Sequence, residues 1–173
     1  TKERERLREV KDSADLVIDS SSLNIHQLEK KINEYFIEDS NADLRVNILS
    51  FGYKYGIPID ADLVVDCRFI ANPHWDPKLR PLTGLDKPVS DEILKSENVQ
   101  EFLSKYQALF ETMALGFITE GRRYLTLAIG CTGGKHRSVA ITQELVSKLT
   151  IGSKLSKYKI ETKGLHRDLG REI

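Results

Sequence analysis

Residues 130–138 carry the side chains and the spacing with the clearest chemical potential in this chain. The segment reads Gly-Cys-Thr-Gly-Gly-Lys-His-Arg-Ser, and its adjacent glycines, Gly133 and Gly134, let the backbone turn tightly and approach a ligand closely. Lys135 and Arg137 add positive charge, and the arginine guanidinium forms a fork that matches a phosphate or a carboxylate. Backbone N–H groups at such a turn can point at an anion. The segment therefore predicts an oxyanion-binding loop.

Hydroxyl groups of the same loop widen the set of candidate anion ligands. Thr132 and Ser138 add O–H donors, and a helix that starts after the loop would aim its first N–H groups at the anion. The alternative is an ordinary tight turn from strand to helix, with Ser138 near the helix start. Four polar side chains compatible with an anion favour the anion site. The candidate binding residues of the loop are Cys131, Thr132, Gly133, Gly134, Lys135, His136, Arg137 and Ser138.

A catalytic alternative exists for the same loop. It is not a Walker A loop, because His136 stands where that pattern needs Ser or Thr. It fits C-x-x-G-x-x-R-[ST], which resembles the phosphate loop of cysteine-dependent phosphatases. In that alternative the Cys131 thiolate attacks phosphorus, Arg137 holds the phosphate oxygens, and Asp76 supplies the acid. Gly130 replaces the histidine that usually precedes the cysteine, which favours a buried, inert Cys131 at the end of a strand.

The elements around the loop indicate how it is positioned. Residues 124–129 form an apolar strand pattern before it, and Val139, Leu145 and Leu149 fall on one face of a helix after it. Further predicted elements are a strand at 44–51, a central strand at 63–65, a strand at 158–162, and helices that start at Ser90 and Asn98. Strands that alternate with helices predict an α/β fold with a mixed or mostly parallel sheet flanked by helices.

Two shorter segments carry further candidates for the site. Lys54 lies between Gly52 and Gly56, and it either reaches an anion or stays solvated on a loop. Asp66 and Arg68 follow the predicted strand at 63–65. They either pair with each other or sit at the ligand-facing end of the strand, where open α/β sheets bind ligands.

A long loop over residues 71–88 holds four of the five prolines and the only tryptophan. A loop of this length in a compact domain is usually functional or disordered. Trp75 and Leu79 argue against disorder because apolar side chains can anchor the loop, while His74 and Lys78 make it basic. Two interpretations stay open, a functional loop that carries an acid or a proline-stiffened lid packed by Trp75.

The N-terminal part predicts a charged helix, a short buried strand at 15–19 and an amphipathic helix. Helix, strand and helix in this order look like the end of an α/β domain whose other strands lie upstream. The polar joint at 38–41 is the predicted boundary. Residues 1–40 are therefore assigned to the remnant of one domain and residues 43–173 to a second domain.

Composition favours a soluble cytoplasmic protein over a membrane or disulfide-stabilised secreted one. Apolar residues make up 40% of the chain and charged residues 30%, and no apolar run reaches the about 18 residues of a membrane span. Two cysteines suit a reducing cytosol. Acidic residues exceed basic ones by three over residues 1–42, and the reverse holds over residues 43–173. This asymmetry is mild and does not by itself indicate nucleic acid.

A basic stretch near the C terminus is the candidate RNA-binding edge. Clustered cations in a chain whose formal net charge is zero can track phosphates, although such a cluster is more often a solvated face. Tyr158 is the one aromatic side chain there, so base-specific recognition is expected to be weak. The residues of this edge are Lys154, Lys157, Lys159, Lys163, Arg167 and Arg171.

A resemblance to the RapZ/YvcJ family of bacterial nucleotide-binding proteins rests on four long motifs that cover much of the chain. They occupy residues 50–62, 66–69, 72–88 and 125–138. Members of that family begin with a P-loop domain that binds ATP or GTP, and this chain contains no Walker A motif. The resemblance implies that residues 1–40 are the end of that domain and residues 43–173 the C-terminal domain, and that the chain is a fragment of a longer protein.

The same resemblance implies a ligand and partners. Lys54, His74, Thr132, Gly133 and Arg137 would line a pocket for an anion or a phosphorylated amino sugar, with no other cofactor and no metal in this fragment. The family also implies RNA binding and an RNase-adapter role in its enterobacterial branch, with a homo-oligomeric assembly. The expected protein is thus a regulatory binding protein that senses a phosphorylated metabolite, contacts a small RNA, an RNase or another regulatory protein, and is not catalytic by itself.

Overall fold

A computed structural model describes residues 2–23, 42–150 and 157–171, together with residues 25, 28, 31, 32 and 35. Four β-strands form one parallel sheet in the order β2-β3-β1-β4. The strands are β1 (Leu44–Gly52), β2 (Leu63–Asp66), β3 (Tyr124–Cys131) and β4 (Ile160–His166). Since all four run in the same direction, their carboxyl ends lie at one edge of the sheet.

The register of the sheet brings the loops that follow the strands close together. Gly52 at the end of β1 lies opposite Cys131 at the end of β3, and Asp66 at the end of β2 lies opposite Gly130. On the other side of β1, Ser50 lies opposite His166 at the end of β4. The candidate loop at 131–138 therefore starts at the centre of this edge.

Bounds are defined for four helices within the described residues. They are α1 (Lys2–Asp12), α2 (Lys87–Leu94), α3 (Glu97–Thr119) and α4 (Arg137–Thr150), with short 3-10 turns at Tyr53–Tyr55 and Pro73–Trp75. The central strands β1 and β3 are buried almost throughout, and α4 and α3 bury apolar stripes that include Leu145 and Leu103. The structure confirms the predicted α/β fold, with an all-parallel sheet flanked by helices.

Several local predictions were wrong. Residues 15–19 are not a strand, because no strand of the described sheet lies beside them to accept their backbone hydrogen bonds. The helix predicted from Ser90 starts at Lys87 instead, since Pro88 fits the first turn of a helix, where no N–H partner is needed. The segment at 63–65 belongs to an edge strand rather than a central one, and its side chains alternate between exposed and half-buried.

The last strand is longer than the predicted segment at 158–162. It runs to His166 through Gly164, where an added Cβ would lie only 3.2 Å from a methyl group of Val146 on α4. The glycine therefore lets the helix approach the strand closely and does not end it. The predicted domain boundary at 38–41, Lys154 and most of the predicted second helix lie outside the described residues.

In the described part of the chain, no helix combines the length and the apolar character needed to cross a lipid bilayer. Over the same residues, no group of three or more His, Cys, Asp or Glu side chains is placed to hold a metal ion.

Candidate oxyanion-binding site

The loop between β3 and α4 wraps around the sulfur of Cys131. The N–H of Gly134 donates to Cys131 Sγ at 3.2 Å, and Ser138 Oγ lies 3.1 Å from the same sulfur. Gly134 has a φ of 78°, a left-handed conformation that favours glycine. Cys131 is 3% exposed and Ser138 is buried. The loop thus has a buried sulfur at its base and a helix N-terminus on one side, as the sequence predicted for this segment.

Two glycines outside the loop hold it in place by close backbone contact. A Cβ on Gly52 would lie 2.6 Å from the carbonyl carbon of Gly133, and a Cβ on Gly84 would lie 2.2 Å from the carbonyl oxygen of His136. Gly84 N–H also donates to the carbonyl oxygen of Lys135 at 2.8 Å. The end of β1 and the long loop before α2 therefore clamp the anion loop from two sides.

Arg137 is buried, at 5% exposure, and its guanidinium is hydrogen-bonded to neighbouring segments of the chain. Its Nη1 donates to the carbonyl oxygens of Arg68 at 3.1 Å and Ile70 at 2.9 Å, and its Nη2 donates to Thr132 Oγ1 at 3.2 Å. These contacts fasten the segment after β2 to the loop. Its Nε is also buried and has no hydrogen-bond partner among the described residues.

The unpartnered Nε identifies where an acceptor belongs. Leaving a buried donor without a partner costs about 1–3 kcal/mol, and more when the group is charged. An oxyanion would meet this donor and would also compensate the buried guanidinium charge. The structure thus shows that Arg137 joins the segment after β2 to the loop, a role that the sequence did not indicate, while its role as an anion ligand stays a prediction.

Lys135 and His136 contact the loop that holds the prolines. Lys135 Nζ donates to the carbonyl oxygen of Arg80 at 3.0 Å, and His136 Nε2 lies 3.3 Å from the same oxygen. His74 is exposed, and its ring centroid lies 6.2 Å from that of His136. The loop is therefore attached to the site, with His74 at the border and Trp75, 76% exposed, beyond it. Trp75 does not pack the loop down, as a lid anchored by that side chain would require.

The segment after β1 forms the opposite border. Lys54 N–H donates to the carbonyl oxygen of Thr132 at 3.2 Å, and Lys54 Nζ lies 4.7 Å from the centroid of the Tyr55 ring. The structure therefore places Lys54 and His74 next to the loop at 131–138.

Asp66 and Arg68 form an ion pair at the end of β2. Arg68 Nε donates to both carboxylate oxygens of Asp66, at 2.9 and 3.0 Å, and hydrogen bonding to Arg68 holds the pKa of Asp66 below its ordinary value. The guanidinium of Arg68 also lies 4.1 Å from the centroid of the Tyr53 ring. Burial raises the pKa of the Tyr53 hydroxyl. The structure thus favours the paired interpretation of these two residues.

Asp168 is a residue of the site that the sequence did not indicate. It is fully buried, and its Oδ2 accepts a hydrogen bond from Gly52 N–H at 2.8 Å. Arg167 and Arg171 both form ion pairs with its carboxylate, at 2.7 and 3.1 Å. The sequence shows an acidic residue close to Arg167 and Arg171. It does not show that this C-terminal segment packs against the end of β1 and the loop after it.

The basic edge near the C terminus is largely engaged in internal contacts. Arg167 and Arg171 pair with Asp168, and Lys159 Nζ lies 3.3 Å from Glu161 Oε1. Lys157 Nζ lies 5.1 Å from the centroid of the Tyr158 ring. Lys163 lies on β4, and Lys154 is outside the described residues. The described cations of this edge therefore lie along β4 and its two flanks, and Lys159, Arg167 and Arg171 are paired with acids of the same chain.

Asp76 forms its hydrogen bonds within its own turn, with Lys78, Leu79 and Arg80. Its Oδ1 accepts the N–H of Lys78 at 2.8 Å, which closes a turn after the 3-10 segment at Pro73–Trp75. The phosphatase alternative needs this carboxylate near the leaving group, and the described contacts of Asp76 are those of a turn residue.

Comparison with known proteins gives one family and a set of full-length relatives. The sequence model of the RapZ C-terminal domain matches residues 44–170. A nucleotide-binding protein of Streptomyces griseus is 52% identical over 170 residues, which cover 98% of this chain and 50% of that protein. Proteins with the same name from Streptomyces coelicolor and Thermobifida fusca are 51% and 49% identical, and this chain spans 55% and 56% of them. The chain therefore spans about half the length of these curated relatives.

Proposed function

We propose that this chain, which belongs to the RapZ C-terminal domain family, is the sensing domain of a RapZ-type regulatory protein. The proposed ligand is a phosphorylated metabolite that binds at residues 131–138. The observation that carries the proposal is the buried Nε of Arg137, a cationic donor without a partner among the described residues. It lies on the first residue of α4, where the helix N-terminus also favours an anion.

A phosphorylated sugar or amino sugar suits the borders of the site. The phosphate would contact the loop and Arg137, while Lys54 and the exposed imidazole of His74 flank the loop where the rest of a small ligand would extend. Hydroxyl and amino groups of a sugar can hydrogen-bond to such polar borders. The donor set offers N–H and O–H groups, which fits an oxyanion and does not require a metal or another cofactor.

The test is a thermal-unfolding titration of the 173-residue chain with inorganic phosphate, sulfate, a hexose phosphate and a hexosamine phosphate, with chloride at matched ionic strength as control. A ligand at 100 times its dissociation constant stabilises the folded state by about 2.7 kcal/mol, which is a clear shift in the melting temperature. We expect the phosphate esters to shift it more than inorganic phosphate, and chloride not at all. Equal shifts for all five salts would contradict a specific site.

Nucleotide binding belongs, in this proposal, to the remainder of the full-length protein. The curated relatives are named nucleotide-binding proteins, and about half of each lies beyond the match. Residues 1–173 contain no Walker A pattern, so ATP or GTP binding is assigned to a separate P-loop domain, of which residues 1–40 would be the end. Both cysteines are unpaired thiols, which suits the reducing cytoplasm that we propose as its location.

RNA and protein partners form a further part of the proposal. Any RNA is expected to bind through phosphates along β4 and its flanks, with an RNase or another regulatory protein recruited to the same homo-oligomer. Because the cations there already contact acids or an aromatic ring, the affinity should be modest and steeply dependent on salt.

The measurement for RNA binding is a salt titration with a single-stranded RNA. Each phosphate contact adds roughly 0.7–0.9 to the slope of log affinity against log salt concentration. Replacing Lys157 and Lys159 together by alanine should lower both the affinity and the slope, with Lys105→Ala, an exposed lysine on α3, as control. Tight binding with a slope near zero, or an unchanged double variant, would contradict this assignment.

A Cys131-dependent phosphatase is the second candidate function. It is favoured by one observation, the contacts of Gly134 N–H and Ser138 Oγ with the Cys131 sulfur, since such donors can stabilise a thiolate. Because Asp76 is hydrogen-bonded as a turn residue, the phosphatase function lacks an evident general acid. An aryl phosphate assay distinguishes the two functions. Turnover that disappears in Cys131→Ser would establish the phosphatase, and no turnover in a chain that binds phosphate would support the sensor.

A further inference from the structure

Cys131 is the last residue of β3, and Cys67 directly follows Asp66, the last residue of β2. Elsewhere in this sheet, Arg45 lies opposite Tyr124 on the neighbouring strand. The N–H of Arg45 donates to the carbonyl oxygen of Arg123, which is the residue before Tyr124. Cys67 N–H donates in the same way to the carbonyl oxygen of Gly130, at 2.7 Å. From this bond we infer that the register between Asp66 and Gly130 extends by one residue beyond the end of β2, with Cys67 opposite Cys131.

A pair of cysteines at this inferred register fits the general geometric requirement of a disulfide. Residues paired in a parallel ladder have side chains on the same face, and neighbouring strands are about 4.8 Å apart. This spacing falls within the Cα separation of roughly 4.4–6.8 Å seen for disulfides. Both thiols are free, and they are the two cysteines in the sequence.

The two sulfurs have different surroundings. Cys131 Sγ accepts the N–H of Gly134 and contacts Ser138 Oγ, so that its thiolate has hydrogen-bond donors. Cys67 belongs to the apolar core, and burial together with the neighbouring Cys131 raises the pKa of its thiol. We therefore assign the first reaction to Cys131, whose sulfur contacts the anion loop, and the second to Cys67 in the apolar core.

We propose that a peroxide oxidises Cys131 and that Cys67 then closes an intramolecular disulfide beneath the anion loop. Cys131 is only 3% exposed, so the oxidant that we propose is the smallest peroxide, hydrogen peroxide. This assigns a modification site to the base of the loop.

The two steps balance. The Cys131 thiolate attacks one peroxide oxygen, an S–O bond forms, the O–O bond breaks, and the leaving hydroxide takes up the proton that the thiol released. The Cys67 sulfur then attacks Cys131 Sγ, an S–S bond forms, the S–O bond breaks, and the oxygen leaves as water with the proton of Cys67. Two thiols lose two electrons and two protons, and one peroxide is reduced to two waters.

The disulfide would change the loop. Bonded to Cys67, Cys131 Sγ turns toward β2 and no longer accepts the N–H of Gly134 or contacts Ser138. The loop loses its inner contact, and oxyanion affinity falls. This consequence rests on the proposed function, whereas formation of the disulfide does not.

The experiment treats the 173-residue chain with hydrogen peroxide at native pH, blocks remaining thiols with an alkylating agent, and measures intact mass and the cross-linked peptide. We expect a monomer lighter by two hydrogens, no alkylation, and a peptide that joins Cys67 to Cys131. Dithiothreitol should restore both thiols. Two alkylated cysteines after treatment, a disulfide-linked dimer, or separate oxidation of each sulfur would overturn the proposal.

Cys67→Ala is the matched variant. With no second thiol, its Cys131 should stop at the sulfenic acid and be trapped by dimedone, while phosphate binding stays as in the parent chain. If this variant does not fold, the cross-linked peptide of the parent chain decides the matter alone.

Phosphate binding separates the modification from its consequence. Inorganic phosphate should slow the oxidation of the parent chain, and the oxidised chain should bind phosphate at least tenfold more weakly than the reduced chain. Equal affinity in both forms would overturn the proposed effect on the loop. A reduced chain that binds no phosphate would refute the proposed function, while the mass measurement would still decide whether the disulfide forms.

Discussion

Replacing Arg137 by alanine will lower both the oxyanion affinity and the stability of the fold. The variant removes the buried guanidinium and leaves the carbonyl oxygens of Arg68 and Ile70 without their donor. The bond to Ile70 is buried and the bond to Arg68 is partly buried, so leaving these acceptors without their donor should cost about 1–3 kcal/mol in the free energy of unfolding. The lost charged contact to the anion should cost a further 1.5–3 kcal/mol in binding, roughly a 10- to 150-fold loss of affinity.

Calorimetry with inorganic phosphate and denaturant unfolding measure these two losses separately. Arg137→Lys keeps the charge but cannot reach the carbonyl oxygens and the hydroxyl at once, so it should retain part of the affinity and still lose stability. Lys105→Ala on the exposed face of α3 is the surface control and should change neither quantity. An Arg137→Ala variant with the affinity and the unfolding midpoint of the parent would refute both roles.

Gly52→Ala should disrupt the anion loop without replacing any of its predicted ligands. The added Cβ would lie 2.6 Å from the carbonyl carbon of Gly133 and 3.0 Å from the backbone nitrogen of Gly134. Both neighbours are backbone atoms, so the loop must move as a unit. The backbone of Gly52, with φ −104° and ψ 124°, is allowed for alanine, which makes the effect purely steric. Overpacking of this kind should cost about 1–3 kcal/mol of stability.

The matched control for this variant is Gly116→Ala on α3. A Cβ there meets no atom within 4 Å, and alanine favours a helix over glycine by about 1 kcal/mol. The control should therefore be slightly more stable than the parent and bind phosphate equally well, while Gly52→Ala should bind at least tenfold more weakly. Phosphate affinity retained in Gly52→Ala would show that the loop does not depend on its contact with β1.

Features that depend on neighbouring residues could be predicted from the sequence. The strand before the loop, the loop itself and α4 follow from local periodicity and from two adjacent glycines among polar side chains. Features that depend on a distant partner could not. Residues 15–19 have the composition of a strand and no partner in the described sheet, and β2 is apolar at 63–65 although it lies at the edge.

The site shows the same division between local and distant information. Arg137 was predicted as an anion ligand from its side chain alone. The backbone carbonyls to which it donates belong to Ile70 and Arg68, which precede it by 67 and 69 positions in the chain. Carbonyl groups occur at every residue and leave no mark in a sequence. For the same reason the carboxylate of Asp168 gave no sign that its partner is the N–H of Gly52.

The contact between Asp168 and Gly52 also sets the time at which the site is completed during synthesis. The two residues are 116 positions apart, and the carboxylate lies near the end of the chain described here. A nascent chain on the ribosome carries the anion loop at 131–138 before it carries Asp168, the residue that binds the end of β1. Contacts between such distant residues form late in folding, because the intervening loop must close first. Under the proposed function, binding of the ligand therefore requires that translation has passed Asp168.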